Sequence, residues 1–368
     1  MPAETNVSDP LDAYGWSDRW SALFDAVESD DPARYPGRVV RADRGSVLAV
    51  TRQGVERAQL STSLRKRASS LDMPATGDWL SLTRPSGHES ALIDAVLPRA
   101  SAFTRGDPGD SSAAQVLAAN VDVVFVVHPL DGDPNLRRIE RELALAWESG
   151  ATPVVVLTKA DLSADPEAAR SAVEQVALGV DVVLTSAVSD GGAEVVRSYA
   201  RTGVTVALIG PSGAGKSTLV NALLGEVRQA TREVRLGDGK GRHTTVTREL
   251  ILLPGGGVLM DTPGLRAVAV HDLASGLDAA FPDIAELALL CRFRDCTHTD
   301  EPGCGVTAAV AAETLSAERL ASYHKLQREA VVAAMKTDAR LRAEEVRKWK
   351  IIYKSVRGHD KRTGFRGA

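Results

Sequence analysis

The sequence predicts a multidomain protein in which a small N-terminal β-barrel precedes a central α/β domain and a C-terminal helical region. Three observations support this division. Five short strand-like runs separated by turn residues lie between residues 36 and 99, strands and helices alternate between residues 120 and 225, and all three cysteines lie between residues 291 and 304. Short, evenly spaced strands are typical of small barrels, whereas alternating strands and helices indicate a largely parallel sheet.

The composition is that of a globular protein with several cores. The chain has 368 residues, 44% of them apolar, and a formal net charge of -4. The charge is unevenly distributed, because residues 1–35 are acidic whereas residues 36–105 and 336–368 carry an excess of Lys and Arg. Basic segments of this kind suit a polyanionic partner, and they suit an ordinary solvated surface equally well.

The ends of the chain show no targeting or membrane signal. No apolar run approaches the length of a membrane span, and the polar N-terminus has neither the basic nor the apolar region of a signal peptide. We therefore expect a cytoplasmic protein that does not bind membranes. An odd number of cysteines, crowded into one stretch, argues against a disulfide framework.

Composition and pattern together predict five segments. These are a flexible acidic leader (1–35), an OB-fold barrel that binds RNA (36–105), an α/β nucleotide-binding domain (106–272), a metal-binding helical domain (273–335) and a basic tail (336–368).

The barrel contains a basic cluster that is a candidate contact for nucleic acid. It consists of Arg65, Lys66 and Arg67, and an exposed basic loop without that role is an equal alternative.

A phosphate-binding loop follows the strand predicted at residues 204–209. The loop fits the pattern G-x-x-x-x-G-K-[ST] and opens a helix that ends at Gly225. Its backbone N–H groups would cradle phosphate oxygens, Lys216 would reach the β- and γ-phosphates, and the Ser217 hydroxyl would bind Mg²⁺. The predicted loop consists of Gly210, Pro211, Ser212, Gly213, Ala214, Gly215, Lys216, Ser217 and Thr218.

Two consecutive strand ends carry residues suited to a guanine base. The Asp161 carboxylate can accept hydrogen bonds from guanine N1–H and its exocyclic amine, and adenine offers no such pair of donors on that edge. The Lys159 stem would lie along the base, and a backbone N–H of the second element would face the guanine oxygen. The predicted base-binding residues are Thr158, Lys159, Ala160, Asp161, Thr185, Ser186 and Ala187.

A third strand end supplies the elements that sense the γ-phosphate. Asp261 begins the pattern D-x-x-G, in which the carboxylate holds Mg²⁺ through water and the N–H of Gly264 contacts the γ-phosphate. In the polar loop upstream, Thr245 is the candidate Mg²⁺ ligand and Thr244 a weaker one. Paired with the phosphate loop, these elements indicate a nucleotide triphosphatase.

The order of these elements is reversed relative to ordinary GTPases, because the base-binding residues precede the phosphate loop. With this order, and with the motifs 76–79 (Thr-Gly-Asp-Trp) and 241–245 (Gly-Arg-His-Thr-Thr) and the cysteine cluster, the sequence resembles the RsgA family of circularly permuted GTPases over about residues 36–330. Thr158 departs from the family, which usually has Asn there.

The resemblance implies an OB-fold, a permuted GTPase domain and a zinc domain. It also implies hydrolysis of GTP to GDP and phosphate, stimulation by the small (30S) ribosomal subunit and its 16S rRNA, and a role in late maturation of that subunit. We expect a monomer.

The cysteine cluster has the composition of a structural zinc site. Three thiols and one imidazole within fourteen residues supply the ligands of a tetrahedral site, and the family places its zinc ligands on this pattern. Three buried thiols beside a surface histidine are the alternative. The predicted ligands are Cys291, Cys296, His298 and Cys304.

One catalytic position is missing from the ordinary GTPase pattern. Leu265 stands where Ras-like enzymes carry the Gln that orients the attacking water, so intrinsic hydrolysis should be slow. We expect His243 to orient this water when the ribosome orders the loop, and a surface histidine without that role is the alternative.

Two other classes share part of this pattern. An ATP-driven transporter subunit would share the phosphate loop, but it requires an L-S-G-G-Q-like signature that this sequence lacks. A non-enzymatic RNA-binding scaffold would explain the barrel and the tail, but it would leave the Mg²⁺ and switch motifs without a role.

Overall fold

The computed structural model describes residues 9–28, 31–107, 110–186, 192–225, 248–261 and 274–337. These residues form a closed β-barrel, an α/β domain and a C-terminal helical domain, which confirms the predicted fold class. No helix in these ranges is both long enough and apolar enough to span a bilayer.

The barrel is closed by five strands in the order β1-β2-β3-β5-β4, with β4 returning to β1. Neighbours are antiparallel except β3 and β5, which are parallel. The basic cluster 65–67 lies on a short helix rather than a loop. The N-terminal elements are α1 (Asp18–Asp25), β1 (Tyr35–Asp43), β2 (Ser46–Thr51), β3 (Gly54–Leu60), α2 (Thr62–Arg67), β4 (Trp79–Thr83) and β5 (Ala91–Val96).

Residues 9–28 pack on the barrel, so the structure corrects the prediction of a flexible leader for this part. Leu11 is fully buried, and Trp20 is 8% exposed. The ring centroids of Trp16 and Trp20 lie 4.9 and 5.9 Å from that of Trp79 on β4. The acidic residues occupy the exposed face of α1, while its aromatic face fills a hydrophobic cluster, and burial of such rings outweighs the polar composition.

The α/β domain contains a sheet in the order β10-β9-β8-β11-β13-β12, parallel except for β12. Helices α3 and α4 pack on one face, and α5 and α6 pack on the other. A separate hairpin, β6–β7, connects the barrel to β8. The elements are β6 (Ala102–Asp107), β7 (Asp110–Ala119), β8 (Val123–Pro129), α3 (Leu136–Glu148), β9 (Thr152–Thr158), α4 (Pro166–Glu174), β10 (Asp181–Leu184), α5 (Glu194–Arg197), β11 (Thr205–Ile209), α6 (Lys216–Leu224), β12 (Glu249–Leu252) and β13 (Val258–Asp261).

The barrel is joined to the α/β domain through β1 and the motif 76–79. Arg41 of β1 pairs with Glu249 of β12, so one continuous sheet of 11 strands runs through both domains. Gly77 has φ +98°, and a Cβ there would lie 2.0 Å from the Ala119 carbonyl oxygen. This contact explains the glycine, because any side chain would push the barrel away from β7.

A buried arginine fixes the same junction. Arg38 donates from Nε to the Gly77 carbonyl (3.2 Å) and from Nη2 to the Asn120 carbonyl (2.9 Å). Burial lowers the pKa of Arg38 to about 10, partly offset by the charges of Asp122 and Asp78, so its guanidinium stays charged at neutral pH. Its Nη1 also donates to the Tyr14 carbonyl oxygen, so one side chain holds three main-chain segments together.

The C-terminal domain is fastened to α3 by a buried ion network. Arg319 donates to Glu140 of α3 (2.8 Å) and to Asp283 (2.8 and 2.9 Å), and its guanidinium stacks 4.5 Å from the ring centroid of Phe281. Buried pairs of this kind are strongly destabilised when one partner is removed. The helices are α7 (Ala274–Ala280), α8 (Pro282–Ala288), α9 (Gly305–Ala311) and α10 (Ala317–Thr337).

Candidate active site and metal centre

The predicted phosphate loop lies between β11 and α6, at the carboxyl end of the parallel strands. Gly210 has φ +136°, and a Cβ there would lie 2.1 Å from the Val127 carbonyl oxygen of β8. Gly215 caps α6 in the left-handed region. Lys216 Nζ donates to the carbonyl oxygens of Gly210 (2.8 Å) and Pro211. A positive charge and the amino end of a helix therefore meet at this loop, the arrangement that binds phosphates.

Thr158, at the end of β9, connects this strand to the predicted phosphate loop. Its Oγ1 lies 2.7 Å from the Ala214 carbonyl oxygen and 3.3 Å from that of His128. Thr158 is 6% exposed, and its hydroxyl oxygen lies 3.3 Å from where a Cβ on Gly215 would be. Threonine thus retains a contact with the loop at the position where the family usually has Asn.

The two strand ends that are predicted to bind the base line one cavity of about 200 Å³. Ser186 Oγ donates to Asp161 Oδ1 (2.5 Å), and the Ala160 N–H donates to the Thr185 carbonyl oxygen (3.2 Å). The first bond fixes the Asp161 carboxylate, which lines the cavity together with residues of α6. The lining includes Thr158, Lys159, Asp161, Thr185, Ser186 and Gly215.

Asp261 ends β13, which pairs in parallel with the strand that leads into the phosphate loop. Its carboxylate therefore lies at the same edge of the sheet as the amino end of α6, where Ser217 is located. Six residues of the predicted nucleotide and catalytic sites lie outside the described residues. They are Ala187, His243, Thr244, Thr245, Gly264 and Leu265.

The three cysteines and His298 converge at the start of α9, with their ligand atoms all within 4.8 Å of one another. Cys291 Sγ lies 3.8 Å from Cys304 Sγ, and His298 Nδ1 lies 3.6 and 3.5 Å from these sulfurs. Sulfurs bonded to zinc at about 2.3 Å in a tetrahedron are about 3.8 Å apart, so the donor atoms fit such an ion. The group can hold a metal ion.

Main-chain donors support the sulfur atoms. Gly305 N–H donates to Cys291 Sγ (3.3 Å), and Thr307 N–H donates to Cys304 Sγ (3.4 Å). Burial raises the pKa of the Cys304 thiol, but hydrogen bonds from Thr307 and His298 outweigh burial and lower it to about 6. A thiol of this kind is readily present as the thiolate that binds metals.

Two residues of the site were missed from the sequence. Asp131, in the loop after β8, lies 2.5 Å from Lys159 Nζ. His128 Nε2 lies 2.7 Å from Glu142 Oε2, and the carbonyl oxygen of His128 accepts the hydrogen bond from Thr158 Oγ1. His128 lies near the carboxyl end of β8 and Asp131 follows it, at the edge of the sheet that carries the site. This position at the end of a parallel strand could have indicated both residues from the sequence.

The sheet order, and a phosphate loop that follows the predicted base-binding elements along the chain, define a circularly permuted P-loop GTPase. The family model described as RsgA GTPase matches residues 96–271. The chain belongs to the RsgA GTPase family, and it is a GTP-hydrolysing enzyme.

Individual relatives match nearly the whole chain. The small ribosomal subunit biogenesis GTPase RsgA of Streptomyces coelicolor is 48% identical over 92% of this chain and 92% of its own length. The protein of the same name from Opitutus terrae is 44% identical over 96% and 99%. The crystal structure of YjeQ from Thermotoga maritima has a TM-score of 0.61 and 27% identity, covering 81% of this chain and 99% of its own. YloQ, a circularly permuted GTPase, shares the fold with a TM-score of 0.59.

Proposed function

We propose that this protein binds the small (30S) ribosomal subunit, hydrolyses GTP to GDP and phosphate faster when bound, and assists late maturation of the subunit. One observation carries the proposal: proteins named small ribosomal subunit biogenesis GTPases match the chain over more than nine-tenths of its length. The basic barrel, the guanine-suited cavity and the metal-binding group all lie within the matched part.

We assign the nucleotide contacts as follows. Lys216 and the N–H groups of the phosphate loop bind the β- and γ-phosphates, and Asp161 selects guanine. The bond from Ser186 Oγ supports this selection, because it orients the carboxylate while both of its oxygens keep lone pairs for the base. Gly264 contacts the γ-phosphate through its N–H.

Magnesium is proposed at the edge shared by α6 and β13, where an oxygen-rich donor set suits this ion. Its ligands would be Ser217, Thr245 and Asp261, the last through water. Bound there, the ion would neutralise charge on the β- and γ-phosphates. Asp261 belongs to the short β12–β13 hairpin, which holds its carboxylate at the end of a strand.

We assign zinc to the Cys291, Cys296, His298 and Cys304 group, one ion per chain with a structural role. Three thiolates and an imidazole prefer zinc over the hard cations, and the four ligands leave no position for a substrate. The site lies beside the core of the helical domain, since Cys304 is 4% exposed within it.

The barrel and the tail are the proposed contacts with 16S rRNA. Arg65, Lys66 and Arg67 occupy the last turn of α2, and this helix ends on the barrel surface. Basic groups without sequence-specific partners bind the phosphate backbone. We propose that the protein acts as a cytoplasmic monomer.

The test is GTP turnover by the full chain with and without purified small subunits. We expect slow GTP turnover without subunits and a turnover rate at least tenfold higher with them. GTPase-activating proteins, which complete a catalytic site in a comparable way, accelerate hydrolysis about 10³–10⁵-fold. ATP in excess should not displace labelled GTP. Absence of stimulation, or equal displacement by ATP, would contradict the assignment.

Replacing His243 with Ala should reduce the stimulated rate and leave nucleotide binding intact. A group that orients water or a proton in the transition state contributes about 10²–10⁴-fold. Single-turnover hydrolysis with saturating small subunits measures this step directly. An unchanged rate would remove His243 from the mechanism.

A further inference from the structure

The chain turns sharply at the histidine of the metal-binding group. His298 has φ +59°, in the left-handed region that residues other than glycine seldom adopt. The residue is only 6% exposed, and its Nδ1 lies 3.6 Å from Cys291 Sγ and 3.5 Å from Cys304 Sγ. A backbone conformation of this kind persists only where the surrounding structure holds it. The contacts around His298 therefore decide whether its imidazole reaches the two sulfurs.

One carboxylate contacts the main chain on both sides of this histidine. Glu301 Oε1 accepts the N–H of Thr297 (2.9 Å), and Glu301 Oε2 accepts the N–H of Thr299 (2.9 Å). The Thr297 hydroxyl also donates to Oε1. Hydrogen bonds to a charged acceptor are about twice as strong as those between neutral groups. Glu301 thus fixes the backbone immediately before and immediately after His298.

Two further contacts connect this turn to its surroundings. The main-chain carbonyl oxygen of Glu301 accepts the N–H of Cys304 (3.3 Å), so the same residue reaches the third cysteine of the group. On the other side, His324 Nε2 of α10 lies 3.1 Å from the Thr297 carbonyl oxygen. The turn is therefore held both from within its own loop and from the longest helix of the domain.

We propose that Glu301 is a positioning residue of the metal centre, which holds the turn that presents the His298 imidazole to the ion. Glu301 is not one of the four residues whose ligand atoms converge, so it acts through the histidine rather than on the metal. Groups that orient metal ligands in this way contribute about 10- to 100-fold in metal affinity. This inference rests on the proposed metal assignment and adds to it a residue on which affinity depends.

The charge of Glu301 offers a different explanation, because any nearby carboxylate attracts a cation. Asp300 separates the two explanations, since it is an exposed carboxylate next to Glu301 in the chain. Asp300→Asn removes the same charge and leaves the Glu301 side chain in place. It is therefore the matched control for Glu301→Gln.

The test is a double-mutant cycle on the zinc affinity of the full chain, with Glu301→Gln, His298→Ala and the combination of both. Glutamine keeps the shape of the side chain, but its amide nitrogen cannot accept an N–H, so one main-chain bond is lost. Competition with a chromophoric chelator measures the Kd for zinc. Glu301→Gln should weaken zinc binding about 10- to 100-fold when His298 is present. In the His298→Ala background the loss should be about twofold or less, because no imidazole is left to position. Asp300→Asn should bind zinc like the wild type.

Two results would overturn the inference. An equal loss of affinity with and without His298 would show that Glu301 acts independently of the histidine. Equal losses for Glu301→Gln and Asp300→Asn would assign the effect to charge. If Glu301→Gln does not fold, Thr297→Val takes its place in the cycle, because it removes the hydroxyl that donates to Glu301. Its loss should be smaller and should again depend on His298.

Failure of the metal assignment has a different signature. A wild type that binds cobalt(II) but not zinc would contradict the zinc assignment alone, because the same cycle is then measured with cobalt(II). A wild type that binds neither ion would contradict the metal assignment. Hydrogen exchange at the amides of Thr297 and Thr299 would still test the turn, since exchange should be slow in the wild type and faster in Glu301→Gln. Equal exchange rates would overturn the role of Glu301 itself.

Discussion

Asp161→Asn is expected to change the preferred nucleotide from GTP to xanthosine triphosphate. The Asn oxygen still accepts from N1–H and from Ser186 Oγ, but its amide group turns a donor toward the guanine amine, which is also a donor. Xanthine has an oxygen at that position and accepts this bond. The loss of GTP affinity should be about 100-fold, since a hydrogen bond to a charged group contributes about 1.5–3 kcal/mol. Titration of fluorescent GTP and xanthosine triphosphate measures the change.

Asp131→Asn is the matched control for this substitution. Asp131 does not line the cavity, but its carboxylate contacts Lys159, which does. The control removes the same charge, so it should weaken both nucleotides modestly and keep the preference for guanine. If Asp161→Asn still prefers GTP, or if the control changes the preference, Asp161 is not the residue that selects the base.

Cys304→Ser should abolish metal binding and unfold the C-terminal domain. Cys304 is the N-cap of α9, where its Sγ accepts a hydrogen bond from the Thr307 N–H, and serine can still make this bond. The substitution therefore removes a metal ligand and keeps a capping side chain. Structural zinc contributes folding free energy outright, and an apo domain of this size has a small core. We expect zinc content to fall from about one to near zero per chain, with lower helicity and a clearly lower unfolding midpoint.

Chelation of the wild-type protein provides the control. Removal of the metal should lower the midpoint of the wild type to that of Cys304→Ser, while the variant should not respond to chelator. Readdition of zinc should restore only the wild type. A variant that keeps its zinc and its midpoint would show that Cys304 is buried for packing alone.

The parts of the site that the sequence predicted are those defined by short, fixed spacing. The phosphate loop, Asp161 and the cysteine cluster each follow from a few adjacent residues whose chemistry is specific. The meeting of the phosphate loop and Asp161 at one sheet edge could also be predicted, because parallel strands place their carboxyl ends together. Identity of the metal and roles of the residues at 243–245 and 264 remain predictions.

The parts that the sequence did not predict depend on contacts between distant segments. The packing of Trp16 and Trp20 on Trp79 was hidden by an acidic composition, although the aromatic residues had helical spacing. Arg38 and Arg319 look like surface residues in the sequence, and only the folded chain surrounds them with acceptors. Such networks carry no local signal, because their partners are far apart along the chain.

The pairing of β1 with β12 limits how this protein can engage a partner. The barrel is closed, and its strand β1 pairs with β12 at Glu249, the first residue of that strand; within the described residues, β10 is the edge of the 11-stranded sheet opposite the barrel. That strand has four residues, which is short for recruiting another chain by strand addition. At the other end of the sheet, β1 of the barrel already pairs with the start of β12, so the protein's own barrel limits the addition of a strand from another chain there.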